Sequence, residues 1–151
     1  MIIAYIHDIT KEEIDDLLQS LPNGKRPRED RLFVTCDPLR ALSQLNVAKL
    51  RDHREPHIFI GDNVFDEEFT TWTLVTLLTN VGKRARFYMY SDHPAPQIPD
   101  RKFNEGMVHG VIPKVDGHDR LREFVQKADS QAGRLQWRLH AMLPWLDIKA
   151  D

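Results

Sequence analysis

Four short apolar runs of the sequence are each followed closely by a polar residue that can carry chemistry. The runs span residues 2–6, 57–60, 85–90 and 110–112, and the polar residues at or just beyond their ends are Asp8, Asp62, Ser91 and Lys114. Helical patterns separate the runs, so we expect the runs to be strands of one parallel sheet. Ligands of such sheets bind outside the carboxyl ends of the strands. The sequence therefore predicts that two carboxylates, a hydroxyl and an ammonium meet in one small pocket.

The rest of the chain alternates between strand and helix patterns. Thr10 with Glu13 three residues later predicts a capping box at the start of a helix. A further strand is predicted at residues 32–35, after a polar loop at 21–31. Helices are predicted at about 11–20, 37–54, 67–82, 102–107 and 117–143. Five such strand and helix units predict an α/β fold, a doubly wound five-stranded parallel sheet with an extended C-terminal helix.

Composition limits the classes of protein to consider. A chain of 151 residues is long enough for one buried core and short for two ordinary domains. The net charge is -2, and the basic run at 25–28 is followed at once by two acidic residues, so no nucleic-acid surface is predicted. Cys36 is the single cysteine, which excludes an intrachain disulfide and a multi-cysteine zinc site. No apolar stretch approaches the roughly 20 residues of a membrane span and the N-terminus lacks a secretory signal pattern, so we expect a cytoplasmic protein.

Three stretches of the chain resemble the receiver domain of response regulators, the phosphoacceptor module of two-component signalling. They are IAYIHD at residues 3–8, PHIFIGD at 56–62 and GMVHGVIPK at 106–114. The intervals from Asp62 to Ser91 and from Ser91 to Lys114 match the family within a residue or two, whereas the interval from Asp8 to Asp62 is longer. The resemblance covers residues 1–130 and implies a flavodoxin-like receiver fold. Residues 131–151 are then expected to be a helical extension that continues the last helix.

The resemblance implies a role for each of the four polar residues. Asp62 is the candidate phosphoacceptor, Lys114 the cation that neutralises the acyl phosphate, and the Ser91 hydroxyl the switch that donates to a phosphoryl oxygen. Mg²⁺ would be held by Asp8, Asp62 and the backbone carbonyl of Val64, because Mg²⁺ prefers oxygen ligands and keeps several waters. A histidine kinase or phosphotransfer protein would act upstream, and a protein output partner would receive the signal.

Several positions depart from the family pattern. His7 stands where the family usually has the first of two acidic residues, which removes a charge from the metal site and supplies an imidazole that serves Mg²⁺ poorly. Asp92 follows Ser91 where a small residue is usual, and its carboxylate would repel a phosphoryl group. Three further positions differ from the family pattern. Asp66 and Val115 each stand where the family usually has a proline, and Val111 stands where it often has an aromatic residue. These changes predict weak or absent phosphorylation, and the alternative function is a pseudo-receiver, an interaction or assembly module that does not depend on phosphorylation.

Enzymatic activity of the chain itself is not expected. The sequence contains no phosphate-binding loop, no glycine-rich dinucleotide motif and no nucleophile elbow. His53 and His57 have a spacing that suits a metal on a helix, but Pro56 between them breaks such a helix. A small α/β enzyme of unknown reaction remains a third hypothesis.

The C-terminal part of the sequence carries an apolar repeat of seven residues. Its positions are Leu121, Ala128, Leu135 and Met142, with Val125, Ala132, Leu139 and Leu146 four residues after each. A helix from 117 to 143 would outrun the sheet, so its second half must find another surface. We expect this half to fold back, to bind a partner helix or to form a homodimer. Gly133 counts against an unbroken helix, since glycine within a helix costs about 1 kcal/mol relative to alanine.

Overall fold

The computed structural model describes residues 1–51, 57–62, 85–92, 109–130, 133–135 and 138–139. These ranges contain five parallel strands and three helices, and residues 133–135 and 138–139 are also helical. The strands are β1 (Ile2–Tyr5), β2 (Leu32–Thr35), β3 (His57–Asp62), β4 (Ala85–Ser91) and β5 (Gly110–Pro113), in the sheet order β2-β1-β3-β4-β5. The helices are α1 (Lys11–Ser20), α2 (Pro38–Arg51) and α3 (Asp119–Asp129), with 3-10 turns at Arg28–Asp30 and Asp116–His118. An α/β fold with a five-stranded parallel sheet is thus confirmed. The helices predicted at 67–82 and 102–107 lie outside the described residues.

Burial of the sheet on both faces explains why its strands read as near-continuous apolar runs. Every residue of β1 and of β3 is buried. One face packs against α1 and α3 through Ile2, Ala4, Ile58, Ile60, Tyr88 and Tyr90. The residues that alternate with these, among them Ile3 and Phe59, are buried as well. Helix α2 packs against β1, β2 and β3 and buries Ala41 and Leu45, which lie outside that first cluster. Helices therefore lie on both faces of the sheet.

The predicted capping box at the start of α1 is present. The Thr10 hydroxyl accepts a hydrogen bond from the backbone N–H of Glu13 at 3.2 Å, and the Glu13 carboxylate accepts one from the N–H of Thr10 at 3.1 Å. Two otherwise unpaired backbone donors are satisfied in this way, which fixes where the helix begins. The box also fixes the carboxylate of Glu13 at the end of α1 that lies near the carboxyl ends of the strands.

Arginine side chains organise the polar loop at 21–31. Arg28 Nε donates to the carbonyl of Leu21 at 2.7 Å, which satisfies an acceptor at the end of α1. Arg31 donates from Nη2 to the carbonyl of Pro22 at 2.6 Å and from Nη1 to the Asp129 carboxylate at 2.5 Å. Both side chains of the Arg31–Asp129 pair are buried, with 6% and 4% of their surface exposed. The loop is thus attached to α1 on one side and to the end of α3 on the other.

None of the helices in the described ranges combines the length and the apolar character that crossing a lipid bilayer requires.

Helix α3 ends at Asp129, so the helix predicted to run unbroken from 117 to 143 is interrupted. Ser130 has an extended backbone (φ −62°, ψ 159°), and its hydroxyl accepts from the N–H of Gly133 at 3.0 Å, as in the cap of a new helical turn. A Cβ on Gly133 would lie 2.0 Å from the carbonyl oxygen of Lys127, so only glycine fits there. Of the residues beyond the break, Leu135 and Leu139 are 59% and 42% exposed. Most of the extension at 131–151 lies outside the described residues.

His109, just before β5, is fixed to β4 by two hydrogen bonds. Its N–H donates to the carbonyl of Phe87 at 2.8 Å, and its Nδ1 accepts from the N–H of Phe87 at 3.2 Å. Burial, together with the positive charge of Arg86, lowers the pKa of His109 to about 4, although the Phe87 hydrogen bond acts in the opposite direction. The unfolded chain then binds more protons than the folded protein between about pH 6.5 and about pH 4, so stability falls as the pH falls through this window.

We expect His109→Asn to reduce this acid sensitivity. The Asn oxygen can accept from the Phe87 N–H but does not titrate, so the variant should retain roughly 2 to 3 kcal/mol more of its neutral-pH stability at about pH 4 than the wild type does. Urea denaturation of both proteins across this pH range measures the difference. Equal losses in the two proteins would contradict a half-buried histidine whose pKa is lowered in the folded protein.

Candidate functional site

The four polar residues selected from the sequence lie at one edge of the sheet. Asp62 and Ser91 are the last residues of β3 and β4, Lys114 follows β5 directly, and Asp8 lies three residues beyond β1. The strands that carry them are neighbours in the order β1-β3-β4-β5 and are all parallel. Their carboxyl ends therefore meet at the same edge.

Lys114 joins the two carboxylates. Its Nζ lies 2.9 Å from Asp62 Oδ2 and 3.2 Å from Asp8 Oδ1. The Asp62 side chain is fully buried, the Lys114 side chain is 16% exposed and the Asp8 side chain is 64% exposed. One ammonium thus bridges a buried carboxylate and a solvent-facing carboxylate.

The charges of the three groups shift the pKa values of Lys114 and Asp8 in opposite directions. Burial tends to lower the pKa of Lys114, but the hydrogen bond and the charge of Asp62, followed by those of Asp8, raise it above its ordinary value. Burial tends to raise the pKa of Asp8, but the Lys114 hydrogen bond and charge outweigh it and lower that pKa. Both shifts favour the ionised forms that the bridge needs.

His7 takes part in the site through its backbone. Its N–H donates to Asp62 Oδ2 at 3.1 Å, and its residue surface is exposed. Asp62 Oδ2 therefore accepts from two donors, the ammonium of Lys114 and this amide. Hydrogen bonds of this kind stabilise a buried carboxylate that would otherwise be costly.

Ser91 helps to place Lys114 through its own backbone. Its carbonyl accepts from the N–H of Lys114 at 2.6 Å, which joins the end of β4 to the residue after β5. The Ser91 side chain is buried, and its role as a switch hydroxyl stays a prediction. Asp92 is exposed beside it. Val64, expected to supply a carbonyl to Mg²⁺, lies outside the described residues.

Three residues at the site were not selected from the sequence. Lys114 Nζ lies 5.6 Å from the centroid of the Tyr90 ring. The Tyr90 hydroxyl is 2.5 Å from His118 Nδ1, and His118 Nε2 is 2.6 Å from Glu13 Oε2. Burial, with the nearby carboxylates of Asp62, Asp8 and Glu13, raises the pKa of Tyr90 far above its ordinary value, so the phenol keeps its proton.

The sequence held only indirect signals for these residues. Tyr90 belongs to an apolar strand, Glu13 to a capping box, and His118 follows a glycine in a loop. Each local feature explains by itself why its residue is there, so none of them indicates a functional site. The three positions are also distant along the chain. Tyr90 directly before the polar residue Ser91 was the one available indication.

Within the described ranges, no group of three or more histidine, cysteine, aspartate or glutamate residues is placed to hold a metal ion. Asp8 and Asp62 supply two carboxylates near one cation, and the third expected ligand lies outside those ranges. The metal site inferred from the resemblance therefore stays a prediction.

No protein-family model, no curated protein and no solved structure matches the chain. The strand order and the contacts among Asp8, Asp62 and Lys114 are therefore the features from which a function can be inferred.

Proposed function

We propose that this protein is a signal-transduction receiver module of the response-regulator type, which acts through protein contacts and has Asp62 as its candidate phosphoacceptor. The observation that carries the proposal is the bridge from Lys114 to both Asp62 and Asp8 at the carboxyl edge of the sheet. The strand order β2-β1-β3-β4-β5 supports it, because this is the order of the flavodoxin-like fold to which receivers belong.

The chemistry proposed for Asp62 needs a cation beside it. A carboxylate oxygen of Asp62 forms a bond to the phosphorus of a donor, while the bond from phosphorus to the leaving group breaks and the leaving group takes the electron pair. Negative charge on both reactants opposes their approach, and the Lys114 ammonium at 2.9 Å offsets this repulsion. Mg²⁺ would be held by the oxygens of Asp8 and Asp62 and, as the family resemblance implies, by the carbonyl of Val64. A bound Mg²⁺ would add to the neutralisation of the phosphoryl charge.

The partners follow from this proposal. A histidine kinase or phosphotransfer protein would supply the phosphoryl group in the cytoplasm, and a protein output partner would receive the signal. Leu135 and Leu139 are exposed beyond the end of α3, and this supports a homodimer or a partner contact through the C-terminal residues.

A pseudo-receiver is the second candidate function, and the state of Asp62 favours it. The Asp62 side chain is fully buried, and its Oδ2 accepts hydrogen bonds from Lys114 and from the N–H of His7. The Lys114 ammonium and the His7 amide thus compensate the charge of this carboxylate. A module of this kind would bind its partners in one fixed state.

We expect slow and incomplete phosphorylation when the full chain is incubated with acetyl phosphate and Mg²⁺ and its intact mass is measured. The mass should rise by one phosphoryl group in a minor fraction of the molecules, because His7 withholds a metal ligand charge and Asp92 repels the phosphoryl group. Asp62→Asn should abolish the modification. His7→Asp, which supplies the acidic residue that the family usually has at this position, should increase the modified fraction.

The outcomes of this experiment separate the two candidates. A minor modified fraction that requires Asp62 supports the receiver. Absence of modification in both the wild type and His7→Asp would overturn the receiver and leave the pseudo-receiver. Prompt stoichiometric modification of the wild type would keep the receiver and show that the departures at His7 and Asp92 have no effect.

A further inference from the structure

Three side chains from three separate elements form a continuous hydrogen-bonded line beside Lys114. Glu13 belongs to α1, Tyr90 to β4 and His118 to the turn before α3. The Tyr90 hydroxyl lies 2.5 Å from His118 Nδ1, and His118 Nε2 lies 2.6 Å from Glu13 Oε2. We call these three residues the Glu13–His118–Tyr90 relay.

The hydrogen-bonding chemistry of the relay sets the orientation of the imidazole. An ionised carboxylate only accepts hydrogen bonds, so His118 Nε2 carries a proton and donates a hydrogen bond to Glu13. Nδ1 then faces the Tyr90 hydroxyl. Tyr90 is fully buried and His118 is 8% exposed, so water competes little for the contact between them, whereas the Glu13 side chain is 36% exposed. The relay thereby fixes the rotation of both rings.

The backbone of His118 is itself unusual. His118 is left-handed (φ 58°, ψ 31°) directly after Gly117, which also has a positive φ of 76°. A positive φ is uncommon for a residue with a Cβ, and it persists where surrounding contacts determine it. At His118, the contacts of the two ring nitrogens with Tyr90 and Glu13 hold the residue in this conformation. Loss of either contact would let the turn that begins α3 relax.

Tyr90 connects the relay to the ammonium of Lys114. The Nζ atom lies 5.6 Å from the ring centroid, within the range of a cation–π contact, while its hydrogen bonds reach Asp62 and Asp8. The aromatic ring and the carboxylates together therefore define where the ammonium lies. A ring that can rotate would define it less well.

We propose that Glu13, His118 and Tyr90 are positioning residues that hold Lys114 against Asp62 and that couple the carboxylate site to α1 and to the start of α3. This role rests on the proposed function, because phosphoryl chemistry at Asp62 needs the Lys114 ammonium beside the carboxylate. It also assigns a route by which a change at Asp62 reaches the α1 and α3 surface.

The test compares Glu13→Gln with a matched control, Glu123→Gln. Gln at position 13 can still accept from the Thr10 N–H, so the capping box remains, but it removes the anion that accepts from His118. Glu123 is an exposed residue of α3 that pairs only loosely with Arg120 at 3.4 Å. The readout is the hydrogen-exchange rate of the Lys114 ammonium protons, measured by nitrogen-15 NMR on the full chain at fixed pH.

We expect Lys114 exchange to be roughly tenfold faster in Glu13→Gln, which corresponds to the loss of one partly desolvated cation–π contact. Tyr90→Phe keeps a ring beneath the ammonium but cannot bond to His118, and it should also accelerate exchange. The control should match the wild type. Circular dichroism confirms that each variant is folded.

A second readout tests the coupling. Asp62→Asn should shift the backbone amide signals of Glu13 and His118, and this shift should disappear when Tyr90→Phe is also present, because that change removes the hydrogen bond between Tyr90 and His118. Exchange in Glu13→Gln and Tyr90→Phe that equals the control, or an amide shift that survives Tyr90→Phe, would overturn the inference. The experiment uses no phosphodonor and no metal, so a protein that cannot be phosphorylated would overturn the proposed function and leave this result unchanged.

Discussion

Asp129→Ala should lower the free energy of unfolding by about 3 to 5 kcal/mol, because it leaves the Arg31 guanidinium buried without its carboxylate. The pair joins the start of β2 to the end of α3 at 2.5 Å, and both side chains are almost completely buried. Urea denaturation at neutral pH measures the change. As a control, Glu123→Ala breaks an exposed pair on the same helix and should change the stability by no more than about 0.5 kcal/mol.

A double variant separates an unpaired charge from simple loss of packing. Arg31→Met with Asp129→Leu removes both charges and fills the space, so it should recover most of the stability lost in Asp129→Ala. Asp129→Ala with no more effect than the control would contradict a buried ion pair at this position.

Lys114→Met should lower the free energy of unfolding by about 3 kcal/mol, since it leaves the fully buried carboxylate of Asp62 without a cation. The backbone N–H of His7 still donates to Asp62, so part of the stabilisation of the carboxylate remains. Addition of Asp62→Asn to Lys114→Met should restore most of the loss, because the neutral amide needs no counter-charge. Urea denaturation of the two single variants and the double variant gives the coupling energy.

An exposed lysine is the control for this pair. Lys25→Met in the polar loop should leave the stability within about 0.5 kcal/mol of the wild type. If Lys114→Met and Asp62→Asn have independent, additive effects, the two residues do not form the bridge.

Local patterns in the sequence were sufficient to predict where the carboxyl edge of the sheet lies. The apolar runs at 2–6 and 57–60 become β1 and β3 because buried parallel strands need apolar residues on both faces. Parallel strands place their carboxyl ends at one edge, so the order of the elements alone was sufficient to predict that Asp62 and Lys114 lie close together. The capping box of Thr10 and Glu13 was predictable because both of its partners lie within one helical turn.

The contacts that complete the site join residues that are distant in the chain. The hydrogen bonds of His118 to Tyr90 and Glu13 depend on how α1 and the start of α3 lie against the sheet, which no local pattern specifies. The same holds for Arg31 and Asp129, which form a buried ion pair although the sequence offers each as an ordinary surface charge.

At the end of α3, two local features at Ser130 and Gly133 decide the structure against the longer seven-residue repeat. The seven-residue repeat predicted a helix that continues past Ala128, yet the chain is extended at Ser130. A hydroxyl that caps the next turn, and a glycine at position 133 where a Cβ would strike a carbonyl oxygen, favour the break. Ser130 and Gly133 are readable in the sequence as an N-cap and a helix-weakening residue.

Binding of an acyl phosphate mimic is the most direct test of a receiver-type site, because it does not depend on how fast Asp62 reacts. Beryllofluoride with Mg²⁺ is added to the nitrogen-15 labelled full chain, and the amide signals of Asp62, Ser91 and Lys114 are followed by NMR. We predict saturable shifts centred on these three residues that require Mg²⁺ and are absent in Asp62→Asn. No shift at saturating mimic, or the same shifts in Asp62→Asn, would contradict a phosphoacceptor site at the carboxyl edge of the sheet.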